Sequence, residues 1–257
     1  MIVTTAGRTE NRMFKTAELI ALELGCPYIK REKKSIQHLW EEYESDVLVI
    51  GKNRYEWHKR NSQEPLFFHP NTASFRVKRW LNGEHDPFIT VTNLKSGMSL
   101  LDCTLGLASD SIMASLVVGE YGNVVGIEGN RIFAYIVEKG LKNWSTDNHY
   151  LTEAMNRIKV TKGNYHFILP LLPENSFDVI YFDPMFESRI VESNGIAALR
   201  DVAVYDDLTI ETIEHAKRVA KNRVVLKDHW QSDRFEKFGF QVQKRKTAKF
   251  HFGFILT

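Results

Sequence analysis

Four acidic residues in this chain, Asp102, Asp110, Glu128 and Asp183, each lie at the end of a short apolar run or in the loop just after one. The segment Leu-Asp-Cys-Thr-Leu-Gly-Leu-Ala-Ser-Asp (101–110) holds a single glycine, Gly106, which allows backbone to approach a ligand closely in a strand-to-helix turn. A dinucleotide site would call for G-x-G-x-x-G, so that a helix N-terminus receives a pyrophosphate. One glycine flanked by Asp102 and Asp110 repels a pyrophosphate and suits a ligand carrying an ammonium and a sulfonium. Ser109 or a neighbour is placed to cap the helix that follows. Some 20 residues on, Glu128 ends VVGIE, where a carboxylate can accept both hydrogen bonds of a ribose diol. Gly163-Asn164-Tyr165 offers a polar side chain and backbone amides to an adenine edge. The sharpest signal is FDVIYF running into Asp183-Pro184-Met185-Phe186. Pro184 stops the strand and leaves the Asp183 carboxylate and the Pro184 carbonyl at its carboxyl end. A planar amine conjugated to a base is a poor nucleophile, and acceptors on its N–H bonds with a stacking ring at Phe186 can hold it for attack. Taken singly, each segment also fits an ordinary turn. In this order and spacing they read together as a nucleoside site beside an amine-orienting one.

Such residues need parallel strands to carry them, because ligands of open α/β sheets bind beyond the strands' carboxyl ends. MSLLDC (98–103), VVGIE (124–128), RIKV (157–160), FDVIYF (177–182) and RVVLK (223–227) are apolar runs separated mostly by helical periodicity. A helix is expected from about Ser109 to Val118, and another carries Phe133, Ile136, Val137 and Leu141 on one face. GFQVQKR and KFHFGFILT pair as an antiparallel hairpin around Lys246-Thr247. Before these lie a strand at IVTT, a helix from Glu10 to Leu24 with Phe14, Ala17, Leu19 and Leu22 on its apolar face, and a strand at DVLVIG (46–51) closed by Gly51-Lys52-Asn53. PLFFHP (65–70) reads as an extended connection or edge strand. The expectation is an α/β fold with a small N-terminal α/β domain over 1–64 and a doubly wound, mostly parallel sheet over 65–257.

The 257 residues are 43% hydrophobic and 26% charged, as in a soluble globular protein, and the formal net charge is only +2. Affinity for an anionic partner would therefore come from local patches. MIVTTAGRTENRMF lacks the basic leader and apolar core of a signal peptide, and no apolar run reaches the length of a membrane span. With Cys26 and Cys103 as the only cysteines, a reducing, cytoplasmic setting is expected. No HExxH or CxxC-plus-His pattern occurs, so no catalytic metal is expected, and Cys103 reads as core. GxSxG and GxxxxGK[ST] are absent as well.

Together these motifs resemble class I S-adenosylmethionine-dependent methyltransferases, whose fold is a Rossmann-like, seven-stranded sheet. LDCTLGLASD resembles their first motif, Glu128 their second acid, and DPMF the [DN]-P-P-[FY] motif of amino-group methylases. More narrowly, LDCTLGLASD, DVIYFDPMF and Val224-Val225-Leu226-Lys227 are similar to the small-subunit ribosomal RNA guanine-N2 methyltransferase J family, over about residues 65–257. The resemblance implies S-adenosylmethionine as cofactor. It points to a cofactor site comprising Asp102, Thr104, Gly106, Ser109, Asp110, Glu128, Gly129, Asn164, Tyr165 and Asp183, with catalysis at Asp183, Pro184 and Phe186. The chain departs from that family at Ser109, where arginine is usual, and at Gly129, where a basic residue is usual. Asp228-His229-Trp230 stands where a basic-proline pair is usual.

The partner expected is RNA, with methylation of an exocyclic amine of guanine in ribosomal RNA as the leading reading. Cations cluster at Lys30, Arg31, Lys33 and Lys34, at Arg76, Lys78 and Arg79, and at Lys244, Arg245, Lys246 and Lys249. Lys227, Lys244, Arg245 and Lys246 are the candidate RNA contacts, with Trp80 and Phe250 as stacking neighbours. Two alternatives stand beside this reading: methylation of a small-molecule or protein amine, and a non-catalytic RNA-binding protein of the same fold.

Overall fold

The computed structural model describes residues 1–184 and 207–257, apart from Arg8, Asn61, Gln63 and Thr247. These residues form two compact units. One comprises Met1–His69 with Lys139–Ser145; the other comprises Pro70–Glu138 and the remaining described residues from Thr146 onward.

In the first unit β1 (Ile2–Thr5) pairs in parallel with β2 (Val47–Ile50), and β2 pairs antiparallel with β3 (Tyr55–His58). IVTT and VLVI are buried along their whole length, as strands covered on both faces must be. Between them lie α1 (Asn11–Leu24) and α2 (Ile36–Tyr43). The expected apolar face of α1 is corrected: Leu19 and Leu22 are 67% and 80% exposed, and the buried set is Met13, Ala17, Ile20, Ala21 and Leu24. That set keeps the i, i+4, i+7, i+11 rhythm of one helix face. Leu19 and Leu22 fall off it.

The second unit opens with α3 (Asn71–Leu81) and α4 (Pro87–Thr92), neither legible in the apolar pattern. Its sheet contains β4 (Ser99–Asp102), β5 (Asn123–Glu128), β6 (Lys159–Lys162), β7 (Phe177–Phe182), β8 (Ala220–His229), β9 (Gln241–Gln243) and β10 (Phe250–Leu256). They lie in the order β6-β5-β4-β7-β8-β10-β9. The first five are mutually parallel, and β10 runs antiparallel to both β8 and β9. This is the doubly wound, mostly parallel seven-stranded sheet with an antiparallel C-terminal hairpin that the periodicity and the resemblance called for. β6 begins two residues later than expected, because α7 (His149–Arg157), capped by Asn148, claims Arg157 for its last turn.

The helices α5 (Ser109–Val118) and α6 (Arg131–Asn143) follow β4 and β5. Leu101, Ile127, Ile180, Phe182, Val224 and Leu226 build a continuous buried cluster from neighbouring strands. The chain leaves β4 toward β5 and β6 on one side, then returns to β7 and β8 on the other. The carboxyl ends of β4 and β7 therefore flank the point where winding reverses, the place an open sheet offers a ligand.

Candidate active site

Asp102, Glu128 and Asp183 sit at or just past the carboxyl ends of β4, β5 and β7, three adjacent strands. The loop after β4 ties them together. The Asp183 backbone N–H donates to Thr104 Oγ1 at 2.6 Å, and the Gly106 N–H donates to Glu128 Oε2 at 3.2 Å. Gly106 takes φ +51°, in the left-handed region where glycine is least strained. Leu105 between them packs on β5, where Gly126 has no side chain: a Cβ there would stand 2.3 Å from Leu105 Cδ1. The N-cap of α5 is Ala108, left-handed at φ 61° with no side-chain cap, so Ser109 lies in the first helical turn instead of capping it. The tight turn closed by Ala108 N–H onto the Leu105 carbonyl starts the helix at that point.

Asp102 is buried at 2% exposure. Its carboxylate accepts from the Thr104 N–H at 3.0 Å and the Ser111 hydroxyl at 2.7 Å. Burial raises its pKa to about 7, against those two hydrogen bonds and with help from nearby Asp110 and Asp183. Glu128 is also raised by burial, although the Asn130 and Gly106 amides support its charge.

Asp110 is the hub of an ion network. Its Oδ1 accepts from Arg76 Nη1 at 2.6 Å, and its Oδ2 accepts from the Tyr181 hydroxyl at 2.8 Å and from Lys227 Nζ at 3.4 Å. Burial opposes its charge, and Lys227 and Arg76 overcome this, holding the carboxyl below its usual range. Arg76 also forks onto Asp86 at 2.8 and 2.9 Å, the bidentate geometry its guanidinium favours. Lys227 Nζ reaches Asp183 Oδ2 at 2.5 Å. Burial raises Asp183 to about 6; Lys227 opposes this, while Asp110 and Asp228 add to it. A quarter of the Asp183 side chain still reaches solvent.

Two cations, Arg76 and Lys227, thus face Asp86, Asp110 and Asp183, with Asp102 adjoining. The site holds more carboxylates than cations, at burial that penalises each uncompensated one. A positively charged ligand relieves that imbalance, and an anionic pyrophosphate would worsen it. The residues therefore fit a nucleoside bearing a sulfonium and an ammonium.

The third loop lies beside Glu128, whose carbonyl accepts from the Gly163 N–H at 2.9 Å. Asn164 Oδ1 accepts from the His166 N–H at 2.9 Å and caps the short helix Tyr165–Ile168. Tyr165 is turned into the core, its ring centroid 5.6 Å from that of Phe182. Gly129 is exposed, Ser109 half-buried and Pro184 buried. Phe186, expected as a stacking surface, lies outside the described residues.

Of the expected RNA contacts, Lys244 and Lys246 are exposed in the turn between β9 and β10. The Arg245 guanidinium lies 5.1 Å from the Phe250 ring centroid. Lys227 faces inward, its ammonium on Asp183 and Asp110 and 5.0 Å from the Phe250 ring centroid. Arg76, grouped with Lys78 and Arg79 as a surface cluster, belongs to the site instead. No spacing rule links it to Asp110, 34 residues away. Asp86, Ser111 and Tyr181 were likewise not legible as site residues. Among the described residues no group of three or more His, Cys, Asp or Glu is placed to hold a metal ion. Nor, among them, is any helix long and apolar enough to cross a membrane.

The fold and this site define a class I S-adenosylmethionine-dependent methyltransferase, with S-adenosylmethionine as cofactor. Residues 31–251 match the family described as "Putative SAM-dependent methyltransferase", and the chain belongs to that family. It is 48% identical over 256 residues to the uncharacterized protein YpiP of Bacillus subtilis, covering 100% of this chain and 99% of that protein. Ribosomal RNA small subunit methyltransferase J of Buchnera aphidicola is 27% identical over 214 residues, 77% of this chain and 84% of that one. Its counterpart in Thioalkalivibrio sulfidiphilus is 32% identical over 134 residues, about half of each chain. Among solved structures, the SAM-dependent methyltransferase NGO1261 of Neisseria gonorrhoeae superposes with a TM-score of 0.65 at 16% identity, over 100% of this chain and 96% of that one.

Proposed function

We propose that this methyltransferase acts on an exocyclic amine of a base in RNA, with guanine N2 of ribosomal RNA as the leading acceptor. The observation that carries the reading is the Asp183 carboxylate, held just past β7 by its backbone bond to Thr104 and followed at once by Pro184. The methyltransferase J relatives support the choice of RNA.

Asp102, Thr104, Gly106, Ser109, Asp110, Glu128, Gly129, Asn164 and Tyr165 are assigned to the cofactor, with Glu128 toward the ribose and the Asp102–Asp110 acids toward the cationic end. Bound there, S-adenosylmethionine supplies a methyl carbon activated by a positively charged sulfur. The protein's own task is positioning. Lys227 engages Asp183 Oδ2, and Asp183 Oδ1 is left to accept one N–H of the acceptor amine. The Pro184 carbonyl is assigned the second N–H. Holding the nitrogen at attack distance is the kind of ordering that supplies much of an enzyme's rate. Once the nitrogen gains the methyl it must lose a proton, and an Asp183 carboxylate raised to about 6 by burial takes one more readily than an ordinary aspartate.

The test is transfer of tritiated methyl into total RNA and total protein from cells lacking the gene, with wild-type and Asp183→Ala proteins. Label should enter RNA, and Asp183→Ala should lower kcat about 100-fold or more while S-adenosylmethionine binding by calorimetry stays within a few-fold. Label confined to protein, or wild-type turnover by the variant, overturns the reading.

A further inference from the structure

Resting on the RNA reading, we propose that Trp230, with the exposed cations Lys244, Lys246 and Lys249, is a stacking platform for a base of the RNA strand that carries the methyl acceptor. Trp230 follows β8 directly and is 53% exposed. An exposed indole offers a flat face on which a base can stack.

Hydrogen bonds brace the backbone of the turn that carries Trp230. Asp228, 1% exposed, accepts from the Ser232 hydroxyl at 2.7 Å and from Arg234 Nη1 at 3.0 Å. The Ser232 N–H closes the turn onto the His229 carbonyl at 2.9 Å, and the Trp230 N–H reaches across to the Lys249 carbonyl at 3.2 Å.

The surroundings select an anionic, aromatic partner. The β8–β10 register sets Phe250 opposite His229, so Lys249 and, after β9, Lys244 lie at the same end of the sheet as Asp183. Positions 241–257 hold Lys244, Arg245, Lys246 and Lys249 and no acid. Lys244, Lys246 and Lys249 are exposed, which suits phosphates, and the Phe250 ring lies between Lys227 at 5.0 Å and Arg245 at 5.1 Å. A single RNA strand matches both halves of this pattern, with phosphates for the cations and bases for the rings.

Lys227, whose ammonium touches Asp183, precedes Trp230 by three residues, so the exposed indole stands at the end of the strand that carries this contact.

The experiment measures binding of a fluorescein-labelled single-stranded RNA oligonucleotide by anisotropy across a salt series. Wild type, Trp230→Ala, Trp230→Phe and the double variant Lys244→Ala/Lys246→Ala are compared. Loss of stacking should weaken binding about 5- to 100-fold in Trp230→Ala with the salt slope unchanged, and Trp230→Phe should restore most of it. The double variant should flatten the slope by about 0.7 for each phosphate it no longer neutralises. With ribosomal RNA as substrate, Trp230→Ala should raise KM and spare kcat and S-adenosylmethionine affinity. Wild-type RNA affinity in Trp230→Ala overturns this inference and leaves the proposed function standing. A wild-type protein that binds no RNA and labels only protein overturns both.

Discussion

At the scale of single residues, the site is governed by where charge is tolerated. In the proposed mechanism Asp183 can take the amine's proton only as a carboxylate, so its pKa, raised by burial to about 6, is expected to set an acid limb for transfer. Below that value kcat/KM should fall about tenfold per unit. Lys227 opposes the rise, so Lys227→Met should push the Asp183 pKa further up and move the limb to higher pH by roughly 1 to 3 units. A pH profile of the variant that overlays the wild type would remove Lys227 from this role. Asp102, Glu128 and Asp183 were legible in the sequence because each lies at or just past the end of a strand. Their cationic partners were not. Arg76 and Lys227 read as surface cations, since a single chain of letters carries no record that residues 76, 110, 183 and 227 converge.

At the scale of elements, the loop after β4 works because β5 makes room for it. Gly126 lies within VVGIE, where any strand former would serve the ladder, yet a Cβ would drive into Leu105 at 2.3 Å. Gly126→Ala should cost about 1–3 kcal/mol by overpacking. It should also raise the dissociation constant for S-adenosylmethionine, because Leu105 adjoins the Gly106 amide that binds Glu128. Thermal denaturation and calorimetry check the two effects, and a variant unchanged in both would show that the loop does not lean on β5. Strand and helix identities in this unit followed from apolar runs and periodicity. Boundaries followed less well: the Ala108 cap and the start of β6 depend on backbone turns and a neighbouring helix cap, which leave little trace in hydrophobicity.

At the scale of the whole molecule, burying Asp102 leaves a signature in stability. Its folded pKa, about 7, lies above the ordinary value of 3.8. The folded state therefore binds this proton more tightly. The contribution is fully present below about pH 4 and is lost as pH rises through about 7, amounting to roughly 4 kcal/mol at most. Melting temperature without cofactor should fall between pH 5 and pH 8, and Asp102→Asn should flatten that fall; an equal slope in both proteins would deny Asp102 the role. From the sequence by itself came the α/β class, the parallel strands, the three acids at their tips and the sulfonium nucleoside they suit, because each depends on local pattern or on order along the chain. Only the tertiary structure decided that β7 returns beside β4, that Arg76 and Lys227 compensate the buried acids, and that Trp230 is held out toward solvent beside a cationic turn. Those are contacts between residues distant in the chain, and their energies depend on burial and separation that exist only once the sheet has formed.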